Sequence, residues 1–201
     1  MNEFGAVIRR RRMTRSFRDD PVAPELLDSL VDLASRAPSA GKSQGWHLVV
    51  LDGADTDRFW RHAFPADRRA GFAFPGLLRA PVIALPFADP GAYVARYAEP
   101  DKARSGLGAG PEAWPTPYWT IDASMAVMTL LLAAEDVGLG ALFFAVFEGE
   151  ADVRAELGVP DALQLLGAIA VGWPTTDQSR AGSSAARPRR TPAQIVHRGG
   201  W

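Results

Sequence analysis

The segment from Tyr118 to Val137 narrows the fold more than any other part of the chain. Ile121, Ala123, Met125, Ala126, Val127, Met128, Leu130, Leu131, Leu132, Ala133 and Ala134 place apolar surface round nearly the whole circumference of a helix. A helix that is apolar all round must be buried all round. Gly138 then ends it as a C-terminal cap. A chain of 201 residues holds one large domain with a substantial core. Such a domain covers one face of this helix with its sheet, and the second face asks for a matching helix across a two-fold axis. A homodimer is the expectation; the plainer alternative is a helix buried in the middle of a monomer. The longest apolar stretch, Ala123 to Ala134, contains Ser124 and Thr129 and is too short to span a bilayer.

Other segments read from spacing and punctuation. Phe4, Val7 and Ile8 predict a short helix over 2–12. Pro24 opens a second helix to about Arg36, with Leu26, Leu27, Leu30, Val31 and Leu33 as its apolar stripe. Helices are also expected from Ala54 to Ala63, Asp89 to Tyr97 and Asp152 to Leu157. Strands are expected at His47–Leu51, Ala80–Phe87, Ala141–Phe147 and Leu163–Trp173, the last apolar enough to be central. Residues 99–117 are rich in Pro and Gly and read as a long loop or lid. From Pro174 onward the composition is that of an extended arm. The sum is a single α+β domain, a small mixed sheet covered by helices.

Formal net charge is -1, so no global field recruits nucleic acid or an anionic membrane. Cysteine is absent, which removes disulfides, a thiolate nucleophile and thiolate metal sites. That composition suits a reducing cytoplasm, and the first residues show no apolar leader. His47, His62 and His197 are scattered without metal-ligand spacing, so no metal is expected.

Basic charge is instead local. Arg11-Arg12-Met13-Thr14-Arg15-Ser16-Phe17 puts several guanidinium groups at the end of the first helix. A guanidinium is permanently charged, and its planar fork of donors matches a phosphate. Read alone, a basic cluster is more often a solvated face. The second stretch changes the balance: Ala37-Pro38-Ser39-Ala40-Gly41-Lys42-Ser43-Gln44-Gly45-Trp46. Ser39 offers a hydroxyl, and Gln44 an amide that donates and accepts at one point. Such an amide suits a ring edge of alternating carbonyls and N–H. Ala40 and Gly41 let the backbone approach a ligand closely. The plainer reading is a helix end that turns into a strand.

The two stretches together resemble the opening of the flavin-dependent nitroreductase family, which has Arg-Arg-Ser-x-Arg-x-Phe, then Pro-Val, then Pro-Ser-x-x-Asn-x-Gln-Pro-Trp. Here Pro21-Val22 follows the arginine turn. Further on, Asp122 to Ala134, Gly138-Leu139-Gly140, Gly172-Trp173-Pro174 and Arg189-Arg190-Thr191-Pro192 are similar to the family's central helix, strand start, late turn and basic tail, in the same order. The resemblance leaves residues 60–117 undefined.

The resemblance implies an FMN-dependent oxidoreductase in which NAD(P)H reduces the flavin and an organic acceptor, such as a nitro or quinone compound, reoxidises it. Arg11, Arg12, Met13 and Arg15 would hold phosphate and ribityl, with Arg189 and Arg190 as late partners. Pro38, Ser39, Ala40, Lys42 and Gln44 would border the ring system, and Phe144, Ala145 and Val146 would lie along one ring face. No catalytic residue is assigned. Three departures stand out: Met13 replaces Ser, Lys42 replaces Asn, and Gly45 replaces Pro. A lysine near the pyrimidine edge would stabilise negative charge on reduced flavin and raise its potential. Alternatives within the same likeness are a flavin oxidase or dehydrogenase of a biosynthetic pathway, and a flavin- or deazaflavin-binding protein without turnover.

Overall fold

All seven residues of the strand Val82–Ala88 are buried, which makes it the spine of the sheet. The computed structural model describes residues 3–176 and 186–201. We number the elements in chain order: α1 Phe4–Arg10, α2 Pro24–Ser35, β1 Trp46–Asp52, α3 Thr56–Ala63, β2 Val82–Ala88, α4 Pro90–Ala98, α5 Tyr118–Asp136, β3 Gly140–Phe144, α6 Glu150–Leu157, β4 Gln164–Leu165 and β5 Ala168–Gly172. The sheet order is β1-β2-β5-β3, and β4 pairs with β2. Every strand pair is antiparallel. The expected mixture of directions is met, among the described residues, only by the parallel bridge between Met13 and Ala141.

Alternation along the strands sorts two cores. Val82, Ala84, Ile169, Val171 and Ala141 face α2 and α5. Ile83, Leu85, Phe87, Ala168, Ala170 and Leu142 face the other way, toward Phe59 and Trp60 of α3 and Val153 of α6. The sheet is therefore covered on both faces, as its uninterrupted apolar strands require.

The single strand expected at Leu163–Trp173 is realised as two pieces, β4 and β5, both lying along β2. Gly167 separates them at φ +142°. Just before it, Leu166 faces Pro86, which has no N–H to give, and donates to the Pro86 carbonyl at 3.0 Å. A proline inside a sheet needs such an interruption opposite it. The same break ends β3 at Phe144 rather than Phe147, because Phe144 pairs with Ala168, the first residue of β5.

Helix α5 packs against α2 and the sheet through Val127, Leu130, Leu131, Ala133 and Ala134, and its Ala123 packs with Tyr93, Trp114 and Trp119. Gly138 closes it at φ +83°, with the Leu139 N–H on the Ala134 carbonyl at 2.9 Å. A stripe on its other side stays uncovered within the chain: Tyr118, Met125 and Met128 are each about two-fifths exposed, and Ile121 and Leu132 are half-buried.

Residues 99–117 are not irregular. They contain three 3₁₀ turns, at Ala103–Ser105, Leu107–Ala109 and Pro111–Ala113. Trp114 anchors them, with its indole N–H on the Leu107 carbonyl at 3.0 Å and its ring among Tyr93, Tyr97 and Trp119. In the arm, a 3₁₀ turn at Pro192–Gln194 is capped by Thr191. The rest of 186–201 is exposed, and residues 177–185 of the expected arm lie outside the described residues. Among the described residues no helix is long and apolar enough to cross a membrane, and no group of three His, Asp or Glu side chains converges as a metal site would.

Candidate cofactor site

The arginine turn is held in place by the sheet edge. Met13 bridges Ala141, the Thr14 N–H donates to the Ala141 carbonyl at 3.0 Å, and Phe17 bridges Pro174. Thr14 is buried against Gly140, where a β-carbon would stand 2.5 Å from the threonine hydroxyl. That contact explains why β3 starts with glycine. Met13, expected at the phosphate, packs its side chain between the two cores, so only its backbone remains for a ligand.

The three arginines divide their work. Arg12 folds back on the end of α1, its Nη1 donating to the carbonyls of Arg9, Arg10 and Arg11 at 2.6, 3.0 and 3.1 Å. It caps the helix and answers the negative end of the dipole. Arg15 donates to the Met13 carbonyl at 3.1 Å and lies over the Phe74 ring at 5.3 Å. Arg11 is different: its Nη1 is buried and has no hydrogen-bond partner. A buried, charged donor without an acceptor is costly unless a ligand completes it. An anionic oxygen meets that need, so the residues present fit a phosphate.

The second stretch forms a 3₁₀ turn, Ala40–Lys42, leading into β1. Gly41, Lys42 and Gln44 all adopt left-handed backbone, with φ of 60°, 59° and 52°. Two of them are not glycine, and such residues persist only where the surroundings hold them. Position 42 is one where asparagine is at ease, so the family's asparagine there has a backbone reason that lysine lacks. Several bonds hold the turn: the Gln44 N–H donates to Ser39 Oγ at 3.0 Å, and Ser43 Oγ to the Ala40 carbonyl at 2.7 Å. Arg96 Nε donates to the Gly41 carbonyl at 2.8 Å while its two Nη atoms grip Asp101. That pairing holds the Asp101 carboxyl below the usual carboxylate range. Gly45 is required because a β-carbon would come 2.7 Å from the Tyr93 ring and 2.8 Å from the Asp89 carbonyl; a proline would not fit there. Lys42 and Gln44 point to the exposed side.

The cleft between this turn and α5 measures about 10 Å³, room for at most one water. A wider groove of about 520 Å³ lies elsewhere, between Asp19, Asp52 and Arg79, and none of the expected site residues lines it. The expected ring-face residues also diverge. The Phe144 side chain turns inward, stacked on Trp60 at 5.9 Å, and Val146 packs on the same core. Ala145 alone of the three is exposed. Arg190 donates to the Gln194 carbonyl in the exposed arm. Among the described residues, no hydrogen bond or ion pair joins it or Arg189 to the arginine turn.

The family model described as "Nitroreductase family" matches residues 8–173, from the end of α1 to the residue after β5. The chain belongs to the nitroreductase family. Among curated relatives, an NADH dehydrogenase of Thermus thermophilus is 32% identical over 184 residues, covering 84% of this chain and 85% of the relative. A 5,6-dimethylbenzimidazole synthase of Rhodospirillum rubrum is 30% identical over 203 residues, covering 91% and 90%. Solved structures share the fold. A nitroreductase family protein from Clostridium difficile superposes with a TM-score of 0.70 over the whole of both chains at 19% identity. A Desulfovibrio desulfuricans protein solved in complex with FMN gives 0.67 at 24% identity, covering 98% and 96%. The matched stretch of the nitroreductase family contains both the arginine turn and the Ser39–Gln44 turn.

The sequence reading missed two residues behind the turn. Asp122 is buried on α5, and its Oδ2 accepts from the Ala40 N–H and the Tyr93 hydroxyl, each at 2.8 Å. Burial, then the bond to Asp122, pushes the Tyr93 hydroxyl well above its ordinary range. The signal was present in the sequence: Asp122 stands in the apolar body of α5, whereas the helix's other carboxylates, Glu135 and Asp136, stand at its end.

Proposed function

We propose that the protein is an FMN-dependent NAD(P)H oxidoreductase that reduces an organic acceptor such as a nitro or quinone compound. The observation that carries this is the buried, partnerless Arg11 Nη1 in a nitroreductase-family arginine turn. Bound FMN supplies two-electron transfer between NAD(P)H and the acceptor. Arg11 and Arg15 bind the phosphate. Arg12 fixes the end of α1 so that their backbone stays in register with β3. The Ser39–Gln44 turn would border and orient the ring, where the Gln44 amide would meet its alternating carbonyls and N–H and the Lys42 charge would favour negative charge on the reduced form. No side chain acts as a nucleophile.

We place the site between two copies of the chain. Ligand pockets run to about 300–1,000 Å³, whereas the cleft beside the turn measures about 10 Å³. A second copy seated on the α5 stripe supplies the missing wall. We place the protein in the cytoplasm, in keeping with its lack of cysteine. The Rhodospirillum rubrum relative favours a second reading, an oxidase or dehydrogenase acting on a biosynthetic intermediate. Anaerobic addition of NADH or NADPH to the flavin-loaded protein separates the two. Rapid bleaching of the flavin band, restored by a quinone or nitroaromatic, is the expected result. A band that neither nucleotide bleaches refutes the reductase and leaves the second reading.

A further inference from the structure

We infer that Asp122 is a positioning residue for the flavin-facing turn, and that it acts through a single oxygen. The inference rests on the proposed flavin site.

Three of the four residues 41–44 have left-handed backbone, a conformation the turn's own side chains do not favour. Something outside the turn must hold it. Arg96, itself about a quarter exposed, grips the Gly41 carbonyl from α4, but it reaches only the middle of the turn and spends its two Nη atoms on the exposed Asp101. The inner side is gripped by Asp122, which is 7% exposed. Its Oδ2 accepts both the Ala40 N–H and the Tyr93 hydroxyl. Tyr93 is 1% exposed, and its ring edge also abuts Gly45 at the far end of the turn. The carboxylate and the phenol thus hold the turn at both ends, from two helices behind it.

One oxygen accepting two donors makes the geometry separable from the charge. An asparagine at 122 can place its carbonyl oxygen where Oδ2 stands and keep both bonds. An alanine keeps neither and leaves the buried Tyr93 hydroxyl and the half-buried Ala40 N–H without an acceptor. The charge of Asp122 is therefore dispensable for the turn, and the acceptor is not.

The test uses the full chain and two readouts. Free Kd values are measured for FMN and for riboflavin, which lacks the phosphate. Separately, trypsin digestion followed by mass spectrometry records the cut after Lys42 in protein stripped of flavin. Asp122→Ala is expected to weaken FMN and riboflavin by the same factor, roughly tenfold or more, and to speed the cut after Lys42. Asp122→Asn is expected to keep both flavin affinities within about threefold of wild type and to leave the cut slow. Should Asp122→Ala fail to fold, hydrogen exchange of the Ala40 amide in the wild-type protein decides: strong protection is expected, and exchange at the free-peptide rate overturns the inference. Wild-type binding of FMN with an unchanged Asp122→Ala overturns it while leaving the flavin site standing. So does Asp122→Asn behaving like Asp122→Ala. A wild-type protein that binds no FMN removes the flavin site and this role with it.

Discussion

Arg11, Arg12 and Arg15 look equivalent in the sequence, and the structure separates them. Arg12 is committed to three carbonyls at the end of α1, Arg15 is laid over Phe74, and Arg11 retains a buried donor with no acceptor. Charge and spacing report that a basic cluster exists; only the path of the backbone out of α1 says which member is desolvated. Arg11→Ala should therefore weaken FMN by about ten- to a hundredfold, the loss of a charge-assisted bond of roughly 1.5–3 kcal/mol. Arg9→Ala, in the exposed last turn of α1, should change it little. Equal losses measured by flavin-fluorescence titration would mean a diffuse basic patch. Met13 teaches the reverse lesson. Its position in the motif suggests a ligand contact, but its apolar side chain takes the interior and leaves only the main chain outside.

At the scale of elements, periodicity found α2 and α5 nearly to the residue, because each buries a continuous stripe and ends at a residue that cannot continue it. What it could not find was pairing. The break between β4 and β5 depends on Pro86 facing Leu166 across the sheet, a contact between residues eighty apart in the chain. The packing of 99–117 depends in the same way on Trp114 meeting α4. The Tyr93–Asp122 contact joins α4 to α5 and carries a pH signature. Tyr93 is held protonated above its ordinary value of 10.0, first by burial and then by Asp122. A raised pKa in the folded state gives stability that is whole below about pH 10 and is lost as pH rises beyond it. Urea unfolding across pH 8–11 should show that decline in the wild-type protein. Tyr93→Phe should be less stable at pH 8 but lack this part of the alkaline slope. Parallel slopes in the two proteins would mean that Tyr93 ionises as freely as in the unfolded chain.

For the whole molecule, the α5 stripe of Tyr118, Ile121, Met125, Met128 and Leu132 recurs at intervals of three and four residues. That is the spacing of a seam against another helix. The sequence alone showed that the helix was apolar all round; the fold shows which side its own chain leaves uncovered. A second copy on that side completes the proposed site. Met125→Glu with Met128→Lys should turn a sedimenting dimer into a monomer and reduce FMN affinity with it. A monomer that keeps full FMN affinity would dissociate the site from the interface. The most direct test of the central claim is an absorbance titration of the purified wild-type protein with FMN. The protein is expected to be yellow, to bind one FMN per chain and to release it unaltered on heating. A protein that stays colourless in excess FMN would contradict that claim.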